Sequence, residues 1–273
     1  MKRVSLFQQG YYSLEWIKDF YDQTGIWWGP NVDQDYYQER VRTLERLCGP
    51  GSKKVLDLGA GPGGTAAAMA DAGHSVVAVE LSPGRIQFAR QLAKLPHKGS
   101  LRVIEGDFYT VKLEERFDVV CCWEVFGLGS DADQRQLLRR IASDWLAPGG
   151  MALLDVYSPV RPARAAGKEE ILPPLPGVPG SVEMINRCHF DPLHSRWIDE
   201  WQPVAAPEQA LAQTVRCYSP ADFLLLLEGT GLSLRWIDVN GTELDFASSE
   251  IITSGPLMEE YYYRALLSAD DKN

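Results

Sequence analysis

The 273-residue chain is expected to form an α/β fold: a mostly parallel sheet with helices on both faces, plus smaller additions before and after its core. Three observations lead there. An apolar run, Val55-Leu56-Asp57-Leu58, stops at three alternating glycines, Gly59, Gly61 and Gly63, and helix formers follow in Thr65-Ala66-Ala67-Ala68-Met69-Ala70. Strand-like and helix-like segments then alternate to about Tyr157, as a parallel sheet covered on both faces requires. Finally, a carboxylate, Glu80, ends the second strand-like run 21 residues beyond Gly59.

The glycine stretch comes first because bare backbone amides and a positive helix end can approach a ligand closely there. After it, Ser75 to Glu80 reads as a second buried strand. An acid at such a strand tip can accept both hydroxyls of a ribose. Ser82 and Pro83 open a helix that carries Phe88, Leu92 and Leu95. Leu101–Glu105 is a third strand, with Gly106-Asp107-Phe108 behind it, and Phe117–Glu124 a fourth. Ligands of open α/β sheets sit beyond the C-terminal strand ends, which is where Trp123 and Glu124 fall. Leu137, Leu138, Ile141 and Trp145 mark the next helix, and Ala147-Pro148-Gly149-Gly150 a turn before a fifth strand ending at Tyr157.

Asp57-Leu-Gly-Ala-Gly-Pro-Gly63 resembles the first motif of the class I S-adenosylmethionine-dependent methyltransferases, small-molecule type. Gly106-Asp107-Phe108, Phe117-Asp118-Val119 and Pro148-Gly149-Gly150 are similar to later landmarks of the same family. The resemblance covers residues 50–157 motif by motif and 217–267 by pattern. It implies a Rossmann-like seven-stranded sheet whose last strand, near 260–267, runs antiparallel between strands five and six. It also implies S-adenosylmethionine as cofactor, with S-adenosylhomocysteine as product. The binding residues it points to are Asp57, Gly59, Ala60, Gly61 and Gly63 on the loop, with Glu80 and Leu81 at the ribose. Asp107 and Phe108 would lie at the adenine, and Trp123 would pack on the adenine or on the acceptor. An NAD(P)-dependent oxidoreductase accounts for the glycines and Glu80 but not for Asp57 or Asp107-Phe108.

The remaining segments carry the expectations for the acceptor. Residues 1–47 hold ten of the chain's 28 aromatic residues, among them Phe7, Tyr11, Tyr12, Trp16, Trp27 and Trp28. They read as two helices, Leu14–Tyr21 and Gln34–Leu47, around an ordered loop Gly25–Pro30, either as an aromatic lid or as a packed subdomain. Residues 158–216 contain two strand-like runs, 182–190 and 196–201, expected as an antiparallel β cover over the acceptor pocket. The division is therefore lid 1–47, core 48–157, inserted cover 158–216 and C-terminal core 217–273, the last opened by a capping box at Ser219-Pro-Ala-Asp222.

Candidate catalytic residues are Glu124, His189, His194 and Tyr157. Glu124 is the best-placed carboxylate to act as a base or to hold a cationic acceptor. Cys188, His189, Asp191 and His194 match no zinc spacing, so no metal is expected.

A net charge of −10 without a basic stripe disfavours nucleic acid as partner. Five cysteines without a C-x-x-C pair, no signal-like apolar region and no apolar stretch of membrane length point to a cytoplasmic protein acting on a small molecule. A protein or RNA acceptor, or a non-catalytic regulator binding the same cofactor, are the alternatives. Acceptor atom and oligomeric state stay open.

Overall fold

The computed structural model describes residues 14–28, 33–178, 180–245 and 255–270. The aromatic residues Phe7, Tyr11 and Tyr12, the Gly29-Pro30 step and the chain beyond Asp270 lie outside these, as does the Trp28 side chain.

Two helices lead in, α1 (Glu15–Trp28) and α2 (Gln34–Cys48). The loop expected from Gly25 is instead helix as far as Trp28. Buried Ile17, Phe20, Thr24 and Trp27 recur at helical spacing, and the energy of that stripe outweighs one interior glycine. Asp33 caps α2, its side chain accepting from the Tyr36 amide at 3.0 Å.

The core then alternates: β1 (Lys54–Leu58), α3 (Gly64–Asp71), β2 (Ser75–Glu80), α4 (Pro83–Leu92), β3 (Ser100–Glu105), β4 (Phe117–Cys122), α5 (Asp131–Arg140) and β5 (Leu146–Tyr157). Capping is explicit in the sequence: Ser82 precedes Pro83 on α4, and Ser130 forms a capping box with Asp133 on α5. A π-turn, Ile141–Trp145, extends α5 and keeps Ile141 and Trp145 buried beside Leu137 and Leu138. β5 starts earlier than expected because Ala147–Gly150 is taken in as a bulge: Phe117 pairs with Leu146, then Val119 with Met151.

Beyond β5 come α6 (Val160–Ala165), β6 (Glu169–Leu172), β7 (Met184–Asp191), β8 (Arg196–Pro203), β9 (Leu211–Arg216), α7 (Pro220–Leu227), β10 (Leu232–Val239), β11 (Thr242–Leu244), α8 (Pro256–Glu259) and β12 (Tyr262–Ala269). The large sheet has the order β11-β10-β12-β5-β4-β1-β2-β3. β1 to β5 pair in parallel, and β12 lies antiparallel between β5 and β10 as the resemblance implied. An eighth strand, β11, joins by a short hairpin at Asn240-Gly241 that was not read in advance. The cover is a four-stranded antiparallel sheet, β6-β7-β8-β9, rather than a lone hairpin. Its edge strand β6 is mostly exposed and β9 mixes polar with apolar residues, so neither stood out by hydrophobicity.

Strand alternation sorts the core into two layers. Val55, Val119 and Cys121 face α2 and α3, packing with Leu44, Ala66 and Met69. Leu56, Leu58 and Val120 face the opposite way, towards Leu137, Trp145 and Phe223 of α5, its π-turn and α7. Asp57, in register with Cys121, therefore emerges on the α2 side of the sheet. No helix among the described residues is long and apolar enough to cross a membrane.

Candidate active site

The glycine loop has the backbone its sequence requires. Gly59, Gly61 and Gly63 adopt φ of +69°, +57° and +86°, a region costly for any residue with a Cβ. A Cβ on Gly63 would stand 2.7 Å from that of Ala89, so the loop is pressed against α4. The Gly59 and Ala60 amides both donate to the Val79 carbonyl, tying the loop to β2.

Three carboxylates surround this turn, each set differently. Asp57 is 1% exposed, and neither of its carboxylate oxygens has a partner among the described residues. Burial pushes its pKa up to about 7, against the opposing pull of the Arg40 guanidinium. Glu80 accepts from the Gly61 and Ser82 amides, each at 2.7 Å. Burial raises its pKa too, with those amides pulling the other way. Asp107 accepts from the Tyr109 amide at 2.8 Å, which fixes the turn after β3.

A cavity of about 310 Å³ opens over the C-terminal ends of β1, β2 and β4. Gly59, Ala60, Gly61, Glu80, Leu81, Asp107, Phe108, Trp123, Glu124 and Tyr157 all line it. Asp57 and Gly63 are not among the residues that line it. His189 and His194 are not brought to the cavity: on the small sheet, His189 meets Glu200 at 3.0 Å and His194 meets Asp191 at 2.7 Å.

The far end of the cavity joins Glu124 and Tyr157 to Tyr36 and to Arg40, which sequence reasoning passed over. Arg40, on α2, is 9% exposed and donates to Glu124 Oε2 at 2.9 Å, to Thr65 at 3.1 Å and to the Tyr36 hydroxyl. The Tyr36 hydroxyl donates to the same Glu124 oxygen at 2.6 Å, and burial holds its pKa high. Tyr157 donates to the Glu124 carbonyl at 3.2 Å. Glu124 itself has φ of +57°, an uncommon conformation for a glutamate, maintained by these contacts. Arg40 stood in the charged run Gln38-Glu-Arg-Val-Arg42, which reads as a solvated face. Only its place four residues after Tyr36, and one before Val41, hinted at an inward side chain.

α1 closes one side. Arg85 donates to the Tyr21 carbonyl at 3.1 Å, and Ser82 donates to Asp22 at 2.5 Å, docking the helix on the start of α4. The Tyr21 hydroxyl donates to Gln213 on β9 at 3.0 Å, while Gln213 donates to buried Asp199 at 2.9 Å. One helix thus spans from the carboxylate cradle to the small sheet, with Leu14, Ile17 and Tyr21 towards the cavity.

Residues 55–150 match a family described as methyltransferase domain. The cypemycin N-terminal methyltransferase of a Streptomyces species is 35% identical over 116 residues, 42% of this chain and 46% of its own. The mitochondrial ubiquinone biosynthesis O-methyltransferase of Schizosaccharomyces pombe is 43% identical over 93 residues, 33% of each chain. The match thus spans less than half of these curated relatives. The solved CcbJ methyltransferase of Streptomyces caelestis superposes with a TM-score of 0.72 at 20% identity, over 92% of this chain and 98% of that one. Residues 55–150 thus match a methyltransferase domain, and the chain has the fold of the class I S-adenosylmethionine-dependent methyltransferases. Among the solved chains that superpose, CalS10 of Micromonospora echinaspora is bound to S-adenosylmethionine and the glycopeptide N-methyltransferase MtfA to S-adenosylhomocysteine.

Proposed function

We propose that the protein transfers the methyl group of S-adenosylmethionine to a small-molecule acceptor held between the glycine-loop cradle and the Tyr36–Arg40–Glu124 end of the cavity. The observation that carries this reading is the single cavity joining both ends, closed on one side by α1.

The residues fit the cofactor. Asp57 offers two buried oxygens with no partner among the described residues, and a donor such as an ammonium group would satisfy them. Glu80 is held rigid by two amides, so its remaining lone pairs can take both ribose hydroxyls without reorganising. Leu81, Phe108 and Trp123 supply apolar surface for the adenine, and Asp107 a carboxylate for its amino group.

The cofactor supplies a methyl on a sulfonium, which is already an activated electrophile. The protein's task is then alignment and exclusion of water. α1, anchored at Ser82, Arg85 and Gln213, covers the cavity. Glu124, fixed through one oxygen and its carbonyl, orients the acceptor. Tyr157 acts as a positioning residue through that carbonyl. His189 and His194 are assigned to the structure of the small sheet rather than to chemistry, because each is engaged by a neighbouring carboxylate outside the cavity. The lid of residues 1–47 and the cover of residues 158–216 provide acceptor specificity, and the five buried thiols suit a cytoplasmic setting.

Mass spectrometry tests the proposal: purified protein, S-adenosylmethionine and a library of small acceptors, read for products heavier by one methyl group and for S-adenosylhomocysteine. Methylation confined to protein or RNA would replace the small-molecule assignment.

A further inference from the structure

We infer that the methylated atom is an amine nitrogen, presented by an N–H bond to the free oxygen of Glu124. This rests on the methyltransferase reading and adds the chemical class of the acceptor.

Three features of the cavity carry the inference. The first is the half-used carboxylate. Glu124 Oε2 receives both the Tyr36 hydroxyl and Arg40, whereas Oε1 has no partner among the described residues. The side chain is 37% exposed and lines the cavity. Its backbone sits at φ of +57°, and its carbonyl is held by Tyr157. A carboxylate oxygen can only accept. Fixed in this way it calls for a ligand that donates.

The second feature is what surrounds that oxygen. Trp123, Tyr36, Tyr157 and Tyr21 line the same cavity, and guanidinium groups already pack over three of these rings: Arg40 over Tyr36 and Trp123, and Arg85 over Tyr21. Arg40 does not make this end cationic, because it faces Glu124, Asp57 and Asp155 together. Arg264, the other guanidinium nearby, is bound to Asp155 at 2.8 Å. The two remaining cations of the lining are committed elsewhere: Lys18 donates to Asp22 at 2.8 Å and Arg85 to the Tyr21 carbonyl.

The third feature is the scarcity of a base. A phenol or alcohol must lose its proton in or before the transition state. No histidine lines the cavity among the described residues. Tyr21, Tyr36 and Tyr157 are held protonated, burial raising the pKa of each. Glu124 already carries two donors on one oxygen. An amine needs no base in the transfer step itself: bound as an ammonium it first gives one proton to water, and its neutral form then attacks. Its lone pair forms the N–C bond as the methyl–sulfur bond breaks and that pair passes to sulfur. The product is an alkylammonium beside Glu124, and its extra proton leaves to water.

The test uses the full chain saturated with S-adenosylhomocysteine and three probes of one shape class: benzylamine, benzyl alcohol and phenol. Binding is followed by tryptophan fluorescence at pH 8. The expected result is benzylamine binding at least tenfold more tightly than either hydroxyl probe, with the preference falling below threefold in Glu124→Gln. A hydroxyl probe binding as well as the amine, neither class binding, or a preference that survives Glu124→Gln would overturn the inference. The wild-type comparison stands even if the variant folds poorly. Failure to bind S-adenosylhomocysteine at all would sink the methyltransferase reading instead. Binding it without amine preference would sink only the acceptor class.

Discussion

Asp57→Asn is the perturbation whose size the structure sets best. The carboxyl is buried without a partner, and its pKa is lifted from 3.8 to about 7. A folded-state pKa above the unfolded one means that the fold binds the proton more tightly, so stability contributed at low pH is lost as pH rises from about 4 to about 7. Three units correspond to about 4 kcal/mol in full, and about 2–3 kcal/mol of that falls between pH 5 and pH 8. The ligand-free protein should therefore lose that much stability over this interval relative to Asp57→Asn, an amide that does not ionise. Asp155 and Asp199 are raised by burial as well and bend both curves, so the difference between variants reports Asp57 together with its coupling to Glu80.

Binding carries the opposite signature. A ligand ammonium beside Asp57 favours the carboxylate, so wild-type affinity for S-adenosylhomocysteine should rise about tenfold from pH 6 to pH 8. In Asp57→Asn it should be weaker and nearly flat. Urea denaturation at pH 5 and 8, with calorimetry at pH 6 and 8, measures both. Parallel stability curves for the two proteins, or undiminished affinity in the variant, would refute the reasoning.

Other changes test neighbouring parts. Gly63→Ala places a Cβ 2.7 Å from Ala89 at φ +86°, so it should cost about 1–3 kcal/mol in equilibrium denaturation; wild-type stability would show that the loop does not press on α4. Trp27 is 4% exposed and outside the cavity lining, so Trp27→Ala should cost about 3–5 kcal/mol of stability by the same measurement. A stable variant with impaired turnover would instead make Trp27 part of the lid's function. Asp107→Ala removes a half-buried acceptor at the adenine end and should weaken S-adenosylhomocysteine binding by about 1–2 kcal/mol, read by calorimetry. Unchanged affinity would move the adenine elsewhere.

The core was legible because its signals are local. Val55-Leu56 running into Gly59, Gly61 and Gly63 needs φ values that only glycine adopts freely, and the 21-residue step to Glu80 follows from one helix and one strand. The Glu124 end was only half legible. Its position at a strand tip could be read, but its partners Tyr36 and Arg40 stand 88 and 84 residues away, and in a charged helical run only the spacing from Tyr36 hints at which residue turns inward. Gln213 is similar: its value comes from meeting Tyr21 across 192 residues. His189 and His194 were read from residue type alone; in the fold their side chains meet Glu200 and Asp191, away from the cavity.

Calorimetric titration with S-adenosylhomocysteine, with NADH as control, tests the central claim most directly. The account predicts micromolar binding of the first, about −8 kcal/mol, and none of the second. Binding of NADH alone would contradict it and make Glu80 the ribose ligand of a dinucleotide.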